Sequence, residues 1–216
     1  MPDKKITVVG AGYVGLSLAI LLSQKNKVIV LDTDRRRVEM INSGSSTVED
    51  KKIEEFLRNK DLSISATSEK EGAYKDADFV IIATPTNYDE LTNMFDTSSV
   101  DKCVEDSLKY APNAQVVIKS TVYVGYTDQL RNKLKKNNIT FSPEFLREGN
   151  ALEDNLKPSR LIMGDKNKGA KDFIDLISEV TDEIPEIYFV SNKEAEAIKL
   201  FSNTFLAMRV AFFNEL

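Results

Sequence analysis

The stretch that decides the fold runs Ile6-Thr7-Val8-Val9-Gly10-Ala11-Gly12-Tyr13-Val14-Gly15-Leu16-Ser17-Leu18-Ala19-Ile20-Leu21-Leu22, followed after a polar interval by Val28-Ile29-Val30-Leu31-Asp32. Ile6–Val9 reads as a short buried strand, Leu16–Leu22 as an apolar helix and Val28–Leu31 as a second strand closed by a carboxylate. A G-x-G-x-x-G spacing alone is weak, but here the strand before it, the helix after it and the acid at the expected remove are all present. Each part has a physical task. Gly10 permits the tight turn, Gly12 lets a pyrophosphate approach the backbone, and Gly15 lets the helix pack closely on the strand. The free N–H groups and positive dipole end of that helix favour anionic phosphates. Asp32 is placed to accept hydrogen bonds from the adenosine ribose. An ordinary βαβ unit with incidental glycines would share the periodicity; the full context argues for a dinucleotide site.

A carboxylate at position 32 repels a 2′-phosphate, so NAD is expected over NADP. Arg35, Arg36 and Arg37 complicate that reading, because NADP sites place arginine nearby. Three cations in a first helical turn oppose the dipole by roughly 0.3–1 kcal/mol each. Solvation, or pairing with Asp34 and Glu39, accounts for them equally well. The expected cofactor contacts are Gly10, Gly12, Tyr13, Val14, Gly15 and Asp32, with Arg37 at the adenosine end.

Outside this unit, composition sets bounds. At 216 residues with 42% hydrophobic content the chain can fill a sizeable core. A net charge of −5 argues against nonspecific nucleic-acid binding. The single cysteine excludes an intrachain disulfide and suits a reducing compartment. A core strand almost at the N-terminus leaves no room for a signal peptide, and the apolar run Leu18–Leu22 is far too short to span a bilayer. The expectation is a cytoplasmic chain with no membrane and no nucleic-acid partner. Zero histidine is the sharpest compositional fact. It removes Ser-His-Asp and Cys-His catalysis, histidine-bound metals and the usual base of simple dehydrogenases. No metal site is expected, and acid–base chemistry falls to Glu, Asp, Lys, Tyr or water.

Apolar strands keep alternating with helical patterns, which predicts an α/β fold with a doubly wound, mostly parallel Rossmann-like sheet. Helices are expected around Arg35–Asn42 and Lys51–Asn59, strands at Leu62–Ala66 and Ala77–Ala83, and a loop over Tyr88–Thr97. A helix at Ser98–Tyr110, a strand at Gln115–Lys119, a helix near Thr127–Lys136 and a short strand at Ile139–Phe141 follow. Ser142–Ser159 reads as irregular, then come strand Arg160–Met163, helix Ala170–Val180 and strand Ile187–Val190. Ser191 or Asn192 caps a last helix that runs to Leu216. The expected organisation is one domain over 1–190 and the start of a long connecting helix over 191–216.

Thr86 and Thr121 follow strand ends, where open α/β sheets bind ligands, although threonine there is also common turn chemistry. Glu144 and Glu148, with Arg147 between them, favour a cap or surface ion pair when taken alone. Lys199 and Asn203 share one face of the last helix. On an otherwise apolar, mostly buried helix such a pair needs partners, which points toward a ligand; half-exposed lysine is equally ordinary.

Taken in order, Gly10–Gly15, Asp32, Thr84-Pro85-Thr86-Asn87, Lys119-Ser120-Thr121, Ser142-Pro143-Glu144-Phe145-Leu146-Arg147-Glu148-Gly149 and Glu196–Thr204 resemble the UDP-glucose/GDP-mannose dehydrogenase family. Ser142 before Pro143, and Asp154-Asn155-Leu156-Lys157-Pro158-Ser159-Arg160, look most like its UDP-glucose 6-dehydrogenase branch. The resemblance implies NAD-dependent, two-step oxidation of a sugar C6 alcohol to an acid, through a cysteine thiohemiacetal and a thioester that water hydrolyses. It implies Glu144 as base for that hydrolysis and Glu148 and Thr121 at the nicotinamide, ordering water. Lys199 would assist alcohol deprotonation, with Asn203 beside it. Glu144, Phe145, Leu146, Arg147, Glu148, Lys199 and Asn203 would hold the nucleotide sugar. The alternatives are a GDP-mannose or UDP-N-acetylhexosamine dehydrogenase, or a noncatalytic NAD-binding module.

One departure stands out. In the family the nucleophilic cysteine belongs to a later glycine-rich motif, and this chain stops at Leu216. Cys103, with Val100, Val104 and Leu108, falls on an apolar helical face and reads as a packed core thiol. The chain is therefore expected to be a fragment lacking the nucleophile and inactive alone. Apolar residues at nearly every angle from Ala195 to Phe213 predict a homodimer through the last helix, the region the family uses for its dimer contact.

Overall fold

Strands of four or five apolar residues, buried on both faces, require helices above and below them. The computed structural model, which describes residues 3–90 and 94–216, has that arrangement. In chain order come β1 (Lys5–Val9), α1 (Tyr13–Ser23), β2 (Lys27–Leu31), α2 (Arg35–Asn42), α3 (Lys51–Asn59), β3 (Ile64–Thr67), α4 (Lys70–Tyr74) and β4 (Phe79–Ile82). Then follow β5 (Tyr88–Asp89), β6 (Met94–Phe95), α5 (Ser98–Tyr110), β7 (Gln115–Ile118), α6 (Tyr126–Leu134) and β8 (Ile139–Phe141). The chain continues through α7 (Ala151–Leu156), β9 (Arg160–Met163), α8 (Lys168–Ser178), β10 (Glu186–Phe189) and α9 (Asn192–Glu215).

Six strands form one parallel sheet in the order β3-β2-β1-β4-β7-β8. Its order reverses beside β1, between β2 and β4, and that switch point is where an open α/β sheet leaves a crevice at its carboxyl edge. One face packs Ile6, Val8, Val28 and Val30 against α1 (Leu16, Ile20) and α8 (Phe173, Ile177). The other packs Val80, Ile82, Val116 and Ile118 against α5 (Val100, Val104) and α6 (Leu130). The expected α/β, doubly wound parallel architecture and the terminal helix are both present.

Three local expectations need correction. The Tyr88–Thr97 stretch is not all loop: β5 and β6 pair antiparallel with Tyr88 opposite Phe95, their rings 5.3 Å apart. Residues 91–93 of that predicted loop lie outside the described residues. The stretch Ser142–Ser159 is not irregular throughout, because α7 buries Ala151, Leu152, Asn155 and Leu156. Six residues are too few to show a helical period; α7 is held by its neighbours, with Asn155 Nδ2 donating to Ser17 Oγ (2.8 Å) and Leu152 N to Asp50 Oδ2 (3.3 Å). The last helix is not mostly buried: only Asn192, Ala195 and Glu196 are. Strands β9 and β10 pair in parallel with each other as a separate two-stranded sheet beside β8.

Polar anchors attach α9 to this frame. Ser191 and Glu194 form a reciprocal capping box. Buried Glu196 accepts from Gly125 N (2.5 Å) and Thr127 N (2.8 Å) at the start of α6, where a helix dipole favours an anion. Burial raises the Glu196 pKa, with those hydrogen bonds working against the rise. Asn192 accepts from Phe141 N (3.0 Å) and donates to Asp128 Oδ1 (3.1 Å).

Candidate functional site: a cleft at the carboxyl edge of the sheet

The glycine turn is shaped by close backbone approaches. Gly10 has φ +101°, and a Cβ there would lie 2.6 Å from the carbonyl oxygen of Ala83 at the end of β4. A Cβ on Gly15 would lie 1.8 Å from the carbonyl oxygen of Gly10, so α1 can press onto the turn only without a side chain. A Cβ on Gly12 would meet nothing within 4 Å, leaving open space in front of the helix N-terminus. Phosphate can therefore reach the backbone amides there.

Asp32 is fixed where the second strand ends. Its carboxylate accepts from Ala11 N (2.7 Å) and Asp34 N (2.8 Å), and its side chain is only 9% exposed. Those bonds hold the group in place while lone-pair capacity for ribose hydroxyls remains. Asp34 caps α2, and Arg37 stands 3.8 Å from Asp32 and 3.9 Å from Asp34. Arg37 is thus neither free in solvent nor placed apart for a phosphate.

From this turn a cleft of about 1250 Å³ extends along the sheet edge. Gly10, Gly12, Tyr13, Val14, Asp32, Arg37, Thr86, Thr121, Glu144, Leu146, Glu148, Lys199 and Asn203 all line it. Gly15 does not; it is buried behind the turn. Phe145 and Arg147 face a separate cavity of about 310 Å³, whose wall shares Lys119, Glu144 and Leu146 with the cleft. The residues singled out in the sequence therefore divide between two adjoining spaces.

Hydroxyls knit the middle of the cleft. Thr86 Oγ1 donates to the Thr121 carbonyl (2.6 Å), and Ser120 Oγ to the Thr84 carbonyl (2.7 Å), tying the ends of β4 and β7 together. On the α9 side, Lys199 Nζ donates to the carbonyl of Glu144. Its pKa is lowered, chiefly by burial and further by Lys119, against the pull of Glu144. The Phe145 ring lies between two cations, with Arg160 at 4.5 Å and Lys199 at 5.7 Å from its centroid. Arg147 donates to both oxygens of Asp154, and those bonds lower the Asp154 pKa. This pair is mostly solvent-facing, so it orients the loop more than it stabilises the fold.

Sequence reading missed Lys119 as a site residue. It is 5% exposed, with Nζ 3.5 Å from Glu144 Oε2. The signal was a lysine ending an otherwise buried strand, which has to find partners inside the protein.

Strand order, glycine turn and terminal carboxylate together define a dinucleotide-binding domain. The profile of the UDP-glucose/GDP-mannose dehydrogenase family's NAD-binding domain matches residues 4–184, and the chain belongs to that family, with NAD as the cofactor of this domain. It is 48% identical over 214 residues to a UDP-glucose 6-dehydrogenase of Campylobacter jejuni, covering 98% of this chain and 54% of that relative. A UDP-glucose 6-dehydrogenase of Streptococcus pneumoniae is 46% identical, with 98% and 56% covered. The chain spans about half the length of the curated relatives it matches. Among solved structures, a UDP-glucose dehydrogenase from Pyrobaculum islandicum superposes with TM-score 0.86 at 27% identity, covering 99% of this chain and 52% of that one. A GDP-mannose dehydrogenase from Pseudomonas aeruginosa gives 0.84 at 25%, covering 97% and 51%.

Cys103 corrects another expectation. The thiol packs against the second core cluster but is only half-buried, and it forms part of the cleft wall near Lys70 and Asp106. Burial first, then the Asp106 charge, push its pKa up to about 11. At pH 8 it should therefore react with a maleimide more than about tenfold slower than the same thiol in the unfolded chain. Saturating NAD should slow it further. Stopped-flow labelling checks this; a rate equal to that of the unfolded chain contradicts the assignment.

Proposed function

We propose that this chain is the NAD-binding and partly sugar-nucleotide-binding half of a UDP-glucose 6-dehydrogenase acting in the cytoplasm. The observation that carries the reading is one continuous cleft surface. It joins the glycine turn and Asp32 to Thr121, Glu144, Glu148, Lys199 and Asn203. Two relatives at 48% and 46% identity, both UDP-glucose 6-dehydrogenases, support that substrate over the GDP-mannose and N-acetylhexosamine alternatives.

When bound, NAD supplies the hydride acceptor. Gly10, Gly12 and the start of α1 receive its pyrophosphate, Asp32 its adenosine ribose, and Arg37, Tyr13 and Val14 flank that end. Thr86, Thr121 and Glu148 face the nicotinamide end. Lys199, with its pKa lowered by burial, is suited to take up and return the proton of the C6 alcohol. Asn203, one turn further along α9, and the Glu144–Glu148 segment hold the sugar. Glu144 accepts the proton of the hydrolytic water. Cys103, with its raised pKa and half-buried position, does not act as the nucleophile; the reading assigns that role to a thiol outside these residues.

NAD should bind more tightly than NADP, because Asp32 meets a 2′-phosphate with like charge. Calorimetry on the chain decides it, and equal or tighter NADP binding would falsify the assignment. Asp32→Ala should weaken NAD and erode the discrimination, whereas Arg37→Ala should matter less, since Arg37 is shared between two carboxylates.

The assembly proposed is a homodimer through α9. Phe201, Phe205, Leu206, Met208, Phe212 and Phe213 are 55–72% exposed from the middle of the helix onward. Covering one such side chain is worth roughly 1.5–3 kcal/mol, and a self-complementary helix face in a twofold dimer covers those on its contact side, with Phe201, Phe205, Met208 and Phe212 sharing one face. Sedimentation velocity should show a dimer at micromolar concentration, shifting toward monomer when the chain is cut before Ala207. A monodisperse monomer with an intact helix sinks the proposal.

A further inference from the structure

We infer that Lys119 is a positioning residue that holds the Glu144 carboxylate at the partition between the large cleft and the smaller cavity; the inference rests on the reading of Glu144 as a base given above. Ile118 and Phe141 are paired in register at the ends of β7 and β8, so Lys119 and Ser142 follow them side by side. Lys119 Nζ donates to Ser142 Oγ (3.1 Å) and to the Pro143 carbonyl (3.4 Å), and lies 3.5 Å from Glu144 Oε2. Ser142 Oγ in turn donates to the Ile162 carbonyl on β9 (2.9 Å), which fixes the serine that receives the lysine. The other carboxylate oxygen, Oε1, accepts from Phe145 N (2.9 Å), and the Glu144 carbonyl accepts from Lys199. Both oxygens and the peptide carbonyl of one residue are thus held from three directions.

A buried ion pair contributes little net stability, because desolvation offsets most of the attraction. What the arrangement supplies is geometry: a glutamate side chain 13% exposed, opposed to a lysine side chain 4% exposed, in a wall that both cavities touch. In the proposed hydrolysis the water oxygen bonds to the acyl carbon, the carbon–sulfur bond breaks, sulfur leaves as thiolate and the water proton passes to Glu144. A base for that step must stay within hydrogen-bond reach of a single water. Lys119 acts through Glu144 and need not touch the substrate.

The experiment uses the enzyme assembled from this chain and a C-terminal half carrying the nucleophilic thiol, with UDP-glucose and NAD. Lys119→Met should retain the rapid NADH burst from the two hydride transfers that precede hydrolysis, while steady-state kcat falls about 100-fold, the scale of a misplaced reacting group. KM should fall together with kcat, leaving kcat/KM nearly unchanged because hydrolysis follows the hydride transfers, and Lys119→Arg should recover part of the rate. Ser142→Ala, which loosens the lysine without removing its charge, should give the same split more weakly and serves if Lys119→Met folds poorly. Absence of UDP-glucose-dependent NADH in the assembled wild type defeats the functional reading itself. An active wild type in which Lys119→Met lowers burst and steady state together, or neither, defeats the role of Lys119 alone.

Discussion

Three backbone segments meet at one point in this fold, and no side chain fits between them. The Gly10 carbonyl approaches the Cα of Gly15, and the Ala83 carbonyl approaches the Cα of Gly10, each closer than a Cβ would tolerate. That contact lets α1 lie against the β1 turn and beside the end of β4. It brings the helix N-terminus to the sheet edge where β1 and β4 part. The crevice, the open space in front of Gly12 and the distance to Asp32 all follow from it. Any Cβ at Gly15 must push α1 outward, in an interior packed tightly enough that such shifts typically cost about 1–3 kcal/mol.

The second half of the site is assembled by buried polar groups. Glu196 joins α9 to α6, Asn192 joins it to β8, and Asp50 joins α3 to α7. Each satisfies backbone donors that would otherwise be stranded at a helix end or strand end, so removing one costs the desolvation of its partners, about 1–3 kcal/mol each. This explains how α9, with most of its surface exposed, still presents Lys199 and Asn203 to the cleft. Its first two turns are locked, and those two residues extend the locked part along one face.

Legibility in the sequence followed length and locality. The β1-α1-β2 unit could be read because its signal is local: apolar periods, glycine spacing and a terminal acid lie within one short stretch. Helices α4 and α7 and the β5–β6 pair were not legible, since five-, six- and two-residue elements carry no period and exist through contacts with distant segments. Lys119 was hidden for a related reason. Its partner Glu144 is far along the chain and becomes its neighbour only through the pairing of β7 with β8. Cys103 kept its apolar helical spacing, but the position of α5 against the cleft, which turns one edge of that face toward the ligand space, is a tertiary fact. The exposed half of α9 shows the converse: apolar composition predicted burial that nothing among the described residues supplies.

The central claim is that NAD lies along the sheet edge with its adenosine ribose at Asp32 and its nicotinamide toward Thr121 and Glu148. A crystal structure of the chain with NAD tests this most directly. The account predicts pyrophosphate density against the amides at Gly12 and the start of α1, with the nicotinamide ring reaching the wall formed by Thr121, Glu148 and Lys199. A reversed orientation with adenine beside Thr121, or NAD bound outside the cleft, would contradict it.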